Sequence, residues 1–530
     1  MIDRTAMPAA RLAPWSVFGA VFALFSLLMG IWALASPLMA VPDEPAHAIR
    51  AAAVVRGQFI AGASPDQPWQ AEVTVPRFVA HTGSLTCFAF DPTKSAACQT
   101  PLDGDQDELV PAPTSANVNS PAYYAIVGLP TLVLSGDVAI YAMRLVNAVL
   151  VAALMGFTAM ALSMARWARW SLLAFAVSAT PMLLFLGGSI NPNAAEIASA
   201  MAVFAALVAV LTAPMSDRRL WALTAVTIGS VWMLVNTRSI ALLWLVVVVS
   251  AALVLGRPGV VRRVLRRPAA WVALAASFAV SLAAFAWYTK PQIDAPAGSA
   301  PDYPLMGAPF FTGFQLMLEQ TFDLFSGWVG IFGWLDTAAP GWAQGVWAIL
   351  LTTPVLGAIA FGSGRARIAT ILLVAAAFLI PPIAQGVLIT DYGLIWQARY
   401  AMAVYCCMVI CAGIALDGIR QDAPLPSRGR IGTVALVLAA FGQLVTFVWV
   451  LRRYVVGTGG WADMLLRPEW QPPLGWLTLT VAFAAVLAAG VVFASRALHP
   501  RLVAANGVEA VDAIQPVVPA GTTPRTKSAG

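Results

Sequence analysis

Two adjacent carboxylates, Asp43 and Glu44, stand directly after the first long apolar run, in the sequence Val41-Pro42-Asp43-Glu44-Pro45-Ala46-His47. An acid before a proline in the first turn of a helix can cap free backbone N–H groups and suits the helix dipole, which is a purely structural role. A carboxylate held where lipid and water meet can instead act as a general base for a hydroxyl acceptor. Taken alone, these residues favour the capping role. His47 and Arg50, one helical turn apart, either face the same cleft or form a solvated helix face.

Four cations near the predicted outer ends of apolar helices suggest a binding site for an anion. Each of them, taken singly, can instead extend its charged group to the lipid headgroups. Because they stand on a face whose other charges are mostly acidic, their common placement favours a site for a phosphate group. The four residues are Arg144, Arg238, Lys290 and Arg399.

Further polar residues near predicted outer helix ends could support such a site. Helix capping explains Asn191 or Asn193 well, whereas Glu196 lies one turn into an apolar span, where a carboxylate usually has a function. Asp336 follows an aromatic, glycine-containing stretch that is typical of an interfacial belt. The complete set of supporting residues is His47, Arg50, Tyr123, Tyr124, Asn191, Asn193, Glu196, Asp336, Gln397 and Tyr400.

The sequence has no paired-glycine phosphate loop, no Walker sequence and no cluster of Cys and His residues. It therefore argues against an ATP-driven machine and indicates no certain cofactor, although it leaves a divalent metal open. Cys406, Cys407 and Cys411 lie in an apolar run, where cysteine is most simply a small core residue. Cys87 and Cys98 lie in a polar loop and could form one disulfide if that loop faces an oxidising compartment.

These candidate residues belong to a chain with the composition of a membrane protein. Of its 530 residues, 60% are hydrophobic and 11% are charged, and the mean hydropathy is +0.78. These values exclude a soluble globular protein, a disordered chain and a coiled coil. The net charge of +6 is typical of basic cytoplasmic loops rather than of a nucleic-acid surface. The lipid bilayer is therefore a predicted partner, and nucleic acid is not.

The apolar runs predict an all-α polytopic membrane protein with about twelve transmembrane helices. The first run is too long for the apolar core of a cleaved signal peptide, so it is predicted to be an uncleaved span. The segment 121–136 is short and bounded by proline, and it is predicted not to cross. The spans are predicted at about 15–40, 138–165, 170–189, 194–213, 220–236, 239–256, 269–288, 342–361, 368–389, 398–416, 431–451 and 474–494.

Two long segments, 42–120 and 289–341, are predicted to be external loops of a transmembrane domain that covers residues 15–500. The first of them follows the first span and is polar and rich in proline, aspartate and aromatic residues. Within it, residues 45–56 are predicted to be helical, and Gly57 is a plausible C-terminal stop.

The charge distribution predicts that both chain termini are cytoplasmic. In that orientation most arginines fall in inner segments and most acids in outer ones, as the positive-inside rule requires. Residues 1–14 are then a cytoplasmic N-terminus, and residues 501–530 are a disordered cytoplasmic tail. The predicted location is a membrane that the chain crosses several times, with the candidate site on the external face.

Six short motifs in the same order resemble a bacterial membrane family named domain of unknown function 2142. No single motif is specific, but the collinear match covers about residues 15–420. The motifs are Pro42-Asp43-Glu44-Pro45-Ala46-His47, Pro121-Ala122-Tyr123-Tyr124 after Asn119, Arg144-Leu145-Val146-Asn147, Ser189-Ile190-Asn191-Pro192-Asn193, Phe332-Gly333-Trp334-Leu335-Asp336 and Gln397-Ala398-Arg399-Tyr400.

That family is similar in plan to the GT-C glycosyltransferases, which carry an acidic motif in the first external loop and use polyprenyl-phosphate-linked sugars. The resemblance implies that Asp43, together with Glu44, supplies the catalytic base. It also implies a polyprenyl-phosphate sugar donor and an envelope glycan or lipid acceptor as partners, and the bacterial inner membrane as the location.

The leading functional hypothesis is an inverting membrane glycosyltransferase whose external arginines stabilise the departing phosphate. A transporter or flippase of lipid-linked precursors is a competing class, although such proteins usually place ionisable groups near the bilayer midplane and in repeated halves. A non-catalytic membrane subunit of envelope assembly is a third hypothesis.

Overall fold

The computed structural model describes residues 13–101, 104–165, 169–290, 303–419 and 425–498. The predicted tail 501–530 lies outside these residues, as does the predicted N-terminus 1–14 except for its last two residues. Within the described residues the protein is built from α-helices, with two short antiparallel strand pairs.

Twenty α-helices follow one another along the described chain. They are α1 (Pro14–Ala35), α2 (Glu44–Val54), α3 (Arg77–Ala80), α4 (Pro121–Val127), α5 (Gly136–Met164), α6 (Arg169–Ser178), α7 (Pro181–Gly187), α8 (Pro192–Thr212), α9 (Asp217–Val235), α10 (Ala241–Leu255), α11 (Pro258–Val264), α12 (Pro268–Tyr288), α13 (Phe310–Glu319), α14 (Thr321–Gly330), α15 (Gly341–Phe361), α16 (Gly364–Tyr392), α17 (Met402–Asp417), α18 (Leu425–Val456), α19 (Trp461–Leu466) and α20 (Trp476–Leu498).

Nine helices of the described residues are long and apolar enough to cross a membrane, and two bent helix pairs raise the count to as many as eleven. The prediction of an all-α polytopic membrane protein with a large loop after the first span is confirmed. The predicted span 170–189 is broken into α6 and α7, bent by 66°, because the residue before Pro181 is driven out of the helical conformation. The predicted span 220–236 is helix α9, which is not among the eleven.

The segment between α1 and α5, residues 36–135, is called the first loop below. In it, α2 packs against α3, α4 and an antiparallel pair of strands, β1 (Ala71–Pro76) and β2 (Leu109–Thr114). The register of the pair places Ala71 opposite Thr114. The predicted helix 45–56 is observed as α2, and Gly57 follows it in the left-handed conformation, with φ 81°. Helix α4 has seven residues, so the segment 121–136 is too short to cross, as predicted.

A disulfide joins Cys87 and Cys98 within the first loop, with their Cα atoms 6.1 Å apart. This is the pairing that the sequence suggested. The other three cysteines are buried and free in α17, in keeping with their predicted role as small core residues.

The core of the bundle lies around Trp32 of α1, whose ring contacts those of Phe185, Phe332, Phe447 and Phe483. Aromatic side chains from four different segments therefore meet on one helix. Beside them, α7 approaches the backbone of α1 so closely that a Cβ atom at Gly188 would lie 2.8 Å from the Met29 carbonyl oxygen. Only glycine fits at that contact.

One end of the bundle collects the segments that carry the candidate residues. The residues between α1 and α2, the start of α8, the link between α9 and α10, and a 3₁₀ helix at Ala398–Ala401 all meet there. This end is the predicted external one.

Candidate active site

Asp43 occupies the N-cap position of α2, but its side chain makes no capping hydrogen bond. The capping role that the residues alone favour is therefore wrong for Asp43. Its φ is 66°, in the left-handed region that aspartate and asparagine tolerate better than most residues. The side chain is 50% exposed, and Oδ2 accepts a hydrogen bond of 2.6 Å from Nη2 of Arg399.

Arg399 and Arg238 form a cationic pair around the ring of Tyr400. The Arg238 guanidinium carbon lies 4.0 Å from the ring centroid and that of Arg399 lies 5.6 Å from it, which is within cation–π range. Arg399 is buried and comes directly before α17, whereas Arg238 reaches the same place from the link between α9 and α10. Nη1 of Arg238 and Nε of Arg399 are buried and have no partner among the described residues, so each guanidinium retains one unused donor.

His47 and Tyr124 form the third side of the site. His47 Nδ1 lies 2.8 Å from the hydroxyl of Tyr124, which also lies 3.0 Å from Nδ2 of Asn119. Burial is the main cause that lowers the pKa of His47 to about 3; Asp43 opposes it, and Arg238 and Arg399 add to it. Burial raises the pKa of Tyr124. At neutral pH both side chains are therefore uncharged.

Glu44, the neighbour of Asp43, lies in an entirely different environment. Its side chain is fully buried and forms a two-point ion pair with Arg144, with both N–O distances 2.7 Å. Its two oxygens also accept the N–H groups of Ile190 at 3.0 Å and Val41 at 3.4 Å. The structure therefore separates Glu44 from Asp43 and leaves Glu44 no access to a substrate.

Arg144 is likewise fully buried, and all five of its N–H donors are used. Besides Glu44, they reach the backbone carbonyls of Ala33, Ser36 and Pro37 at 2.8–3.0 Å. No N–H group is left for a phosphate, although the sequence placed Arg144 in the phosphate site. The pair instead fixes the turn between α1 and α2, which carries Asp43.

Several predicted supporting residues belong to hydrogen bonds that connect this turn with α5 and with the start of α8. Tyr123 donates to Asn147 at 3.0 Å, and Asn147 donates to the carbonyl of Ser189 at 2.7 Å. Asn191 caps α8 by accepting the N–H of Asn193, and its own amide lies 3.4 Å from the Pro42 carbonyl. Asn147 stood in one of the sequence motifs but was not named as a site residue.

Two predicted residues on α8 have buried side-chain atoms without a hydrogen-bond partner among the described residues. Both carboxylate oxygens of Glu196 and the amide nitrogen of Asn193 are buried and have no hydrogen-bond partner in the part of the chain that the structure describes. Glu196 interacts electrostatically with Arg238, so it belongs to the surroundings of the cationic pair. Gln397, next to the 3₁₀ helix, also has a buried, unpartnered Oε1.

Asp336 lies in a second buried ion pair, at 3.1 Å from Arg453 of α18. Arg453 also donates to three carbonyl oxygens of the first loop, those of Phe88, Asp91 and Lys94, at 2.6–3.0 Å. Ser95 adds a hydrogen bond of 2.5 Å to Glu469. This group, called the Arg453 clamp below, has a structural role. Sequence reasoning missed Arg453, whose only signal was its position as a cation just after a predicted span.

The last two predicted residues are Arg50 and Lys290. Arg50 is buried, and its guanidinium donates to Asn117 and to the carbonyls of Gln58 at 3.2 Å and Asn119 at 3.4 Å. Burial lowers its pKa to about 10, which still leaves it charged. Lys290 is exposed and follows α12.

Among the described residues, no group of three or more His, Cys, Asp and Glu side chains could hold a metal ion. The divalent metal that the sequence left open stays a prediction, and the mechanism proposed below uses no metal.

The fold and the site define a polytopic, all-α membrane protein with a carboxylate and two arginines gathered at one end of its helix bundle. The chain belongs to the family described as predicted membrane protein, DUF2142, whose model matches residues 25–408. The family predicted from the motifs is thereby confirmed.

Two solved structures are similar to the chain in fold. ArnT from Cupriavidus metallidurans bound to undecaprenyl phosphate is 16% identical, with a TM-score of 0.43, over 92% of this chain and 78% of that one. The arabinofuranosyltransferase AftD from Mycobacteria is 14% identical, with a TM-score of 0.44, over 86% of this chain and 28% of that one. No curated protein matches the sequence.

Proposed function

We propose that this protein is a membrane glycosyltransferase that moves a sugar from a polyprenyl-phosphate donor to an envelope glycan or lipid acceptor at the external face of the inner membrane. The observation that carries the proposal is the environment of Asp43. This carboxylate is half exposed and makes no capping bond, and it lies beside two arginines with unused donors. Glu44, by contrast, is fully buried, and both of its oxygens already accept hydrogen bonds.

In the proposed reaction, Asp43 accepts the proton of an acceptor hydroxyl while the hydroxyl oxygen bonds to the anomeric carbon of the sugar. The bond from that carbon to the phosphate oxygen breaks, and its electron pair leaves with the polyprenyl phosphate. Arg399 and Arg238 stabilise the charge on the departing phosphate. A single direct displacement inverts the anomeric configuration.

Arg399 holds only one oxygen of Asp43, through Oδ2. The side chain is half exposed, so Oδ1 is available to a hydroxyl group. The guanidinium thus orients the carboxylate without covering it. The site lies at one end of the bundle, whereas a transporter or flippase would need such groups along a path through the membrane.

Deletion of the gene should test the function and identify both substrates. We expect one polyprenyl-phosphate sugar to accumulate in extracted lipids and one sugar residue to disappear from the envelope glycan or lipid. A gene encoding Asp43→Asn should fail to restore that sugar residue. If the protein were instead a transporter or a non-catalytic subunit, the same gene would restore it. Unchanged lipid and glycan composition in the deletion strain would contradict the proposal.

Arg399→Ala should raise the KM for the polyprenyl-phosphate donor by about 10- to 100-fold, because a charge-assisted hydrogen bond contributes about 1.5–3 kcal/mol. The KM for the acceptor should change little. Arg77→Ala is the matched control, since Arg77 lies in the first loop and pairs with Glu108. Steady-state transfer assays in proteoliposomes, with each substrate varied in turn, provide the measurement. An unchanged donor KM would remove Arg399 from the phosphate site.

A further inference from the structure

His47 lies one helical turn after Asp43 on α2, and its backbone N–H donates to the Asp43 carbonyl at 3.0 Å. The charged and titratable groups that face its ring come from four places in the fold. They are Asp43 before α2, Tyr124 on α4, Arg238 after α9 and Arg399 before α17. Asp43, Arg238 and Arg399 all act electrostatically on His47, so the imidazole and the Asp43 carboxylate border one site.

The hydrogen bonds around Tyr124 determine which nitrogen of His47 carries the proton. The hydroxyl of Tyr124 has two recorded neighbours, Nδ2 of Asn119 and Nδ1 of His47. An amide nitrogen can only donate, so the hydroxyl accepts from Asn119. Tyr124 is fully buried, and Nδ1 of His47 is the one acceptor among the described residues that lies within reach of its hydroxyl proton, so we assign that proton to the bond with Nδ1. Nδ1 is therefore an acceptor, and the proton of the neutral imidazole is on Nε2.

Protonation of His47 would put a second hydrogen between Nδ1 and the Tyr124 hydroxyl. It would also place a cation near Arg238 and Arg399. Both effects hold His47 in the neutral form, in agreement with its low pKa. His47 therefore cannot serve as a second base or as a general acid near neutral pH, and its available function is that of an N–H donor.

The Nε2–H group of His47 is available to donate a hydrogen bond to a ligand. It has no recorded hydrogen-bond partner among the described residues, and it is not one of the buried unpartnered atoms. The residue as a whole is 8% exposed, so its accessible part is small and its orientation is fixed by Tyr124. The Nε2–H group of His47, held in a fixed orientation, thus lies one helical turn away from the half-exposed Asp43 carboxylate.

We propose that His47 is the acceptor-binding residue, whose Nε2–H donates to an oxygen next to the hydroxyl that Asp43 deprotonates. This inference rests on the proposed function and narrows the acceptor to a carbohydrate. Neighbouring oxygens on a sugar ring supply both a proton for the carboxylate and a lone pair for the imidazole. A lone alcohol on a lipid offers only one oxygen to the two groups.

The protonation state can be measured without any assay of activity. The chain has three histidines, so ¹⁵N-histidine NMR of the full protein in nanodiscs, with His47→Gln as the assignment control, resolves this ring. We expect an unprotonated Nδ1 and a protonated Nε2 throughout pH 5–8. A proton on Nδ1, or titration of His47 within that range, would overturn the inference and leave the proposed function intact.

Kinetics should then separate binding of the acceptor from a general structural effect. His47→Ala should raise the KM for a carbohydrate acceptor about 10-fold, as expected for loss of one hydrogen bond in a poorly hydrated site, with the donor KM unchanged. His47→Gln should recover most of this loss, because its amide can place an N–H near the position of Nε2. His81→Ala, a change at an exposed histidine of the first loop, is the control.

Equal losses in His47→Ala and His47→Gln, or a change in the donor KM alone, would overturn the role of His47. Those outcomes differ from failure of the proposed function, in which Asp43→Asn would keep full activity. Tyr124→Phe gives an additional check, because it removes the hydroxyl that fixes the tautomer but keeps the ring. It should allow a protonated Nδ1 to appear in the same NMR spectrum, and an unchanged spectrum would contradict the tautomer assignment.

Discussion

Asp43→Asn should abolish sugar transfer, with a loss of about 10²-fold or more, while expression and membrane insertion stay normal. The amide has the shape of the carboxylate but cannot take a proton. Asparagine also tolerates the left-handed backbone conformation that residue 43 adopts. Since Asp43 makes no capping hydrogen bond, the substitution removes no cap from α2.

Transfer from a polyprenyl-phosphate sugar in proteoliposomes, measured at several pH values, would show the loss. Asp66→Asn is the matched control, because Asp66 is an exposed carboxylate of the same loop. Normal turnover by Asp43→Asn would refute the mechanism. Glu44 could not replace Asp43 as the base in that variant, because both Glu44 oxygens already accept hydrogen bonds from Arg144.

Arg144→Met should destabilise the protein by about 3–5 kcal/mol, since it leaves the Glu44 carboxylate buried without its counter-ion. We expect less protein in the membrane fraction and a lower temperature of thermal unfolding in detergent. Arg267→Met is the matched control. Arg267 also forms an ion pair, with Asp217, but this pair is exposed, so its loss should change the free energy of unfolding by about 1 kcal/mol or less.

A double substitution identifies the cause of the expected instability. Glu44→Gln added to Arg144→Met removes the uncompensated charge, and the glutamine oxygen can still accept the N–H of Ile190. The double variant should therefore be more stable than Arg144→Met alone. If Arg144→Met unfolded at the wild-type temperature, the ion pair would not be what holds the turn between α1 and α2.

The fold was predictable because long apolar runs must become helices wherever lipid leaves backbone groups without water. The first loop was also partly visible in the sequence, through the helix that Gly57 ends and through two isolated cysteines. The breaks within predicted spans were harder to see, since a proline shows that a helix is interrupted but not how far the chain then bends. The twelve predicted spans exceed the nine to eleven found among the described residues, and the predicted span 220–236, helix α9, is the one missing from the eleven.

The site was less predictable, because adjacent residues received opposite environments from distant partners. Arg144 lies 100 residues from Glu44, and Arg399 lies 356 residues from Asp43. No spacing rule connects such positions, so the sequence could mark Arg144, Arg238 and Arg399 as unusual cations without dividing them into structural and functional groups. The number of free N–H donors on each arginine makes that division.

Because of the Arg453 clamp, the residues that must fold together extend beyond the residues that the family model matches. The family model ends at residue 408, yet Arg453 and Glu469 hold the first loop against α18 and the segment after it. During synthesis these residues leave the ribosome long after the loop that they hold. The segment 88–95 of the first loop thus reaches its final contacts only when nearly the whole chain has been made.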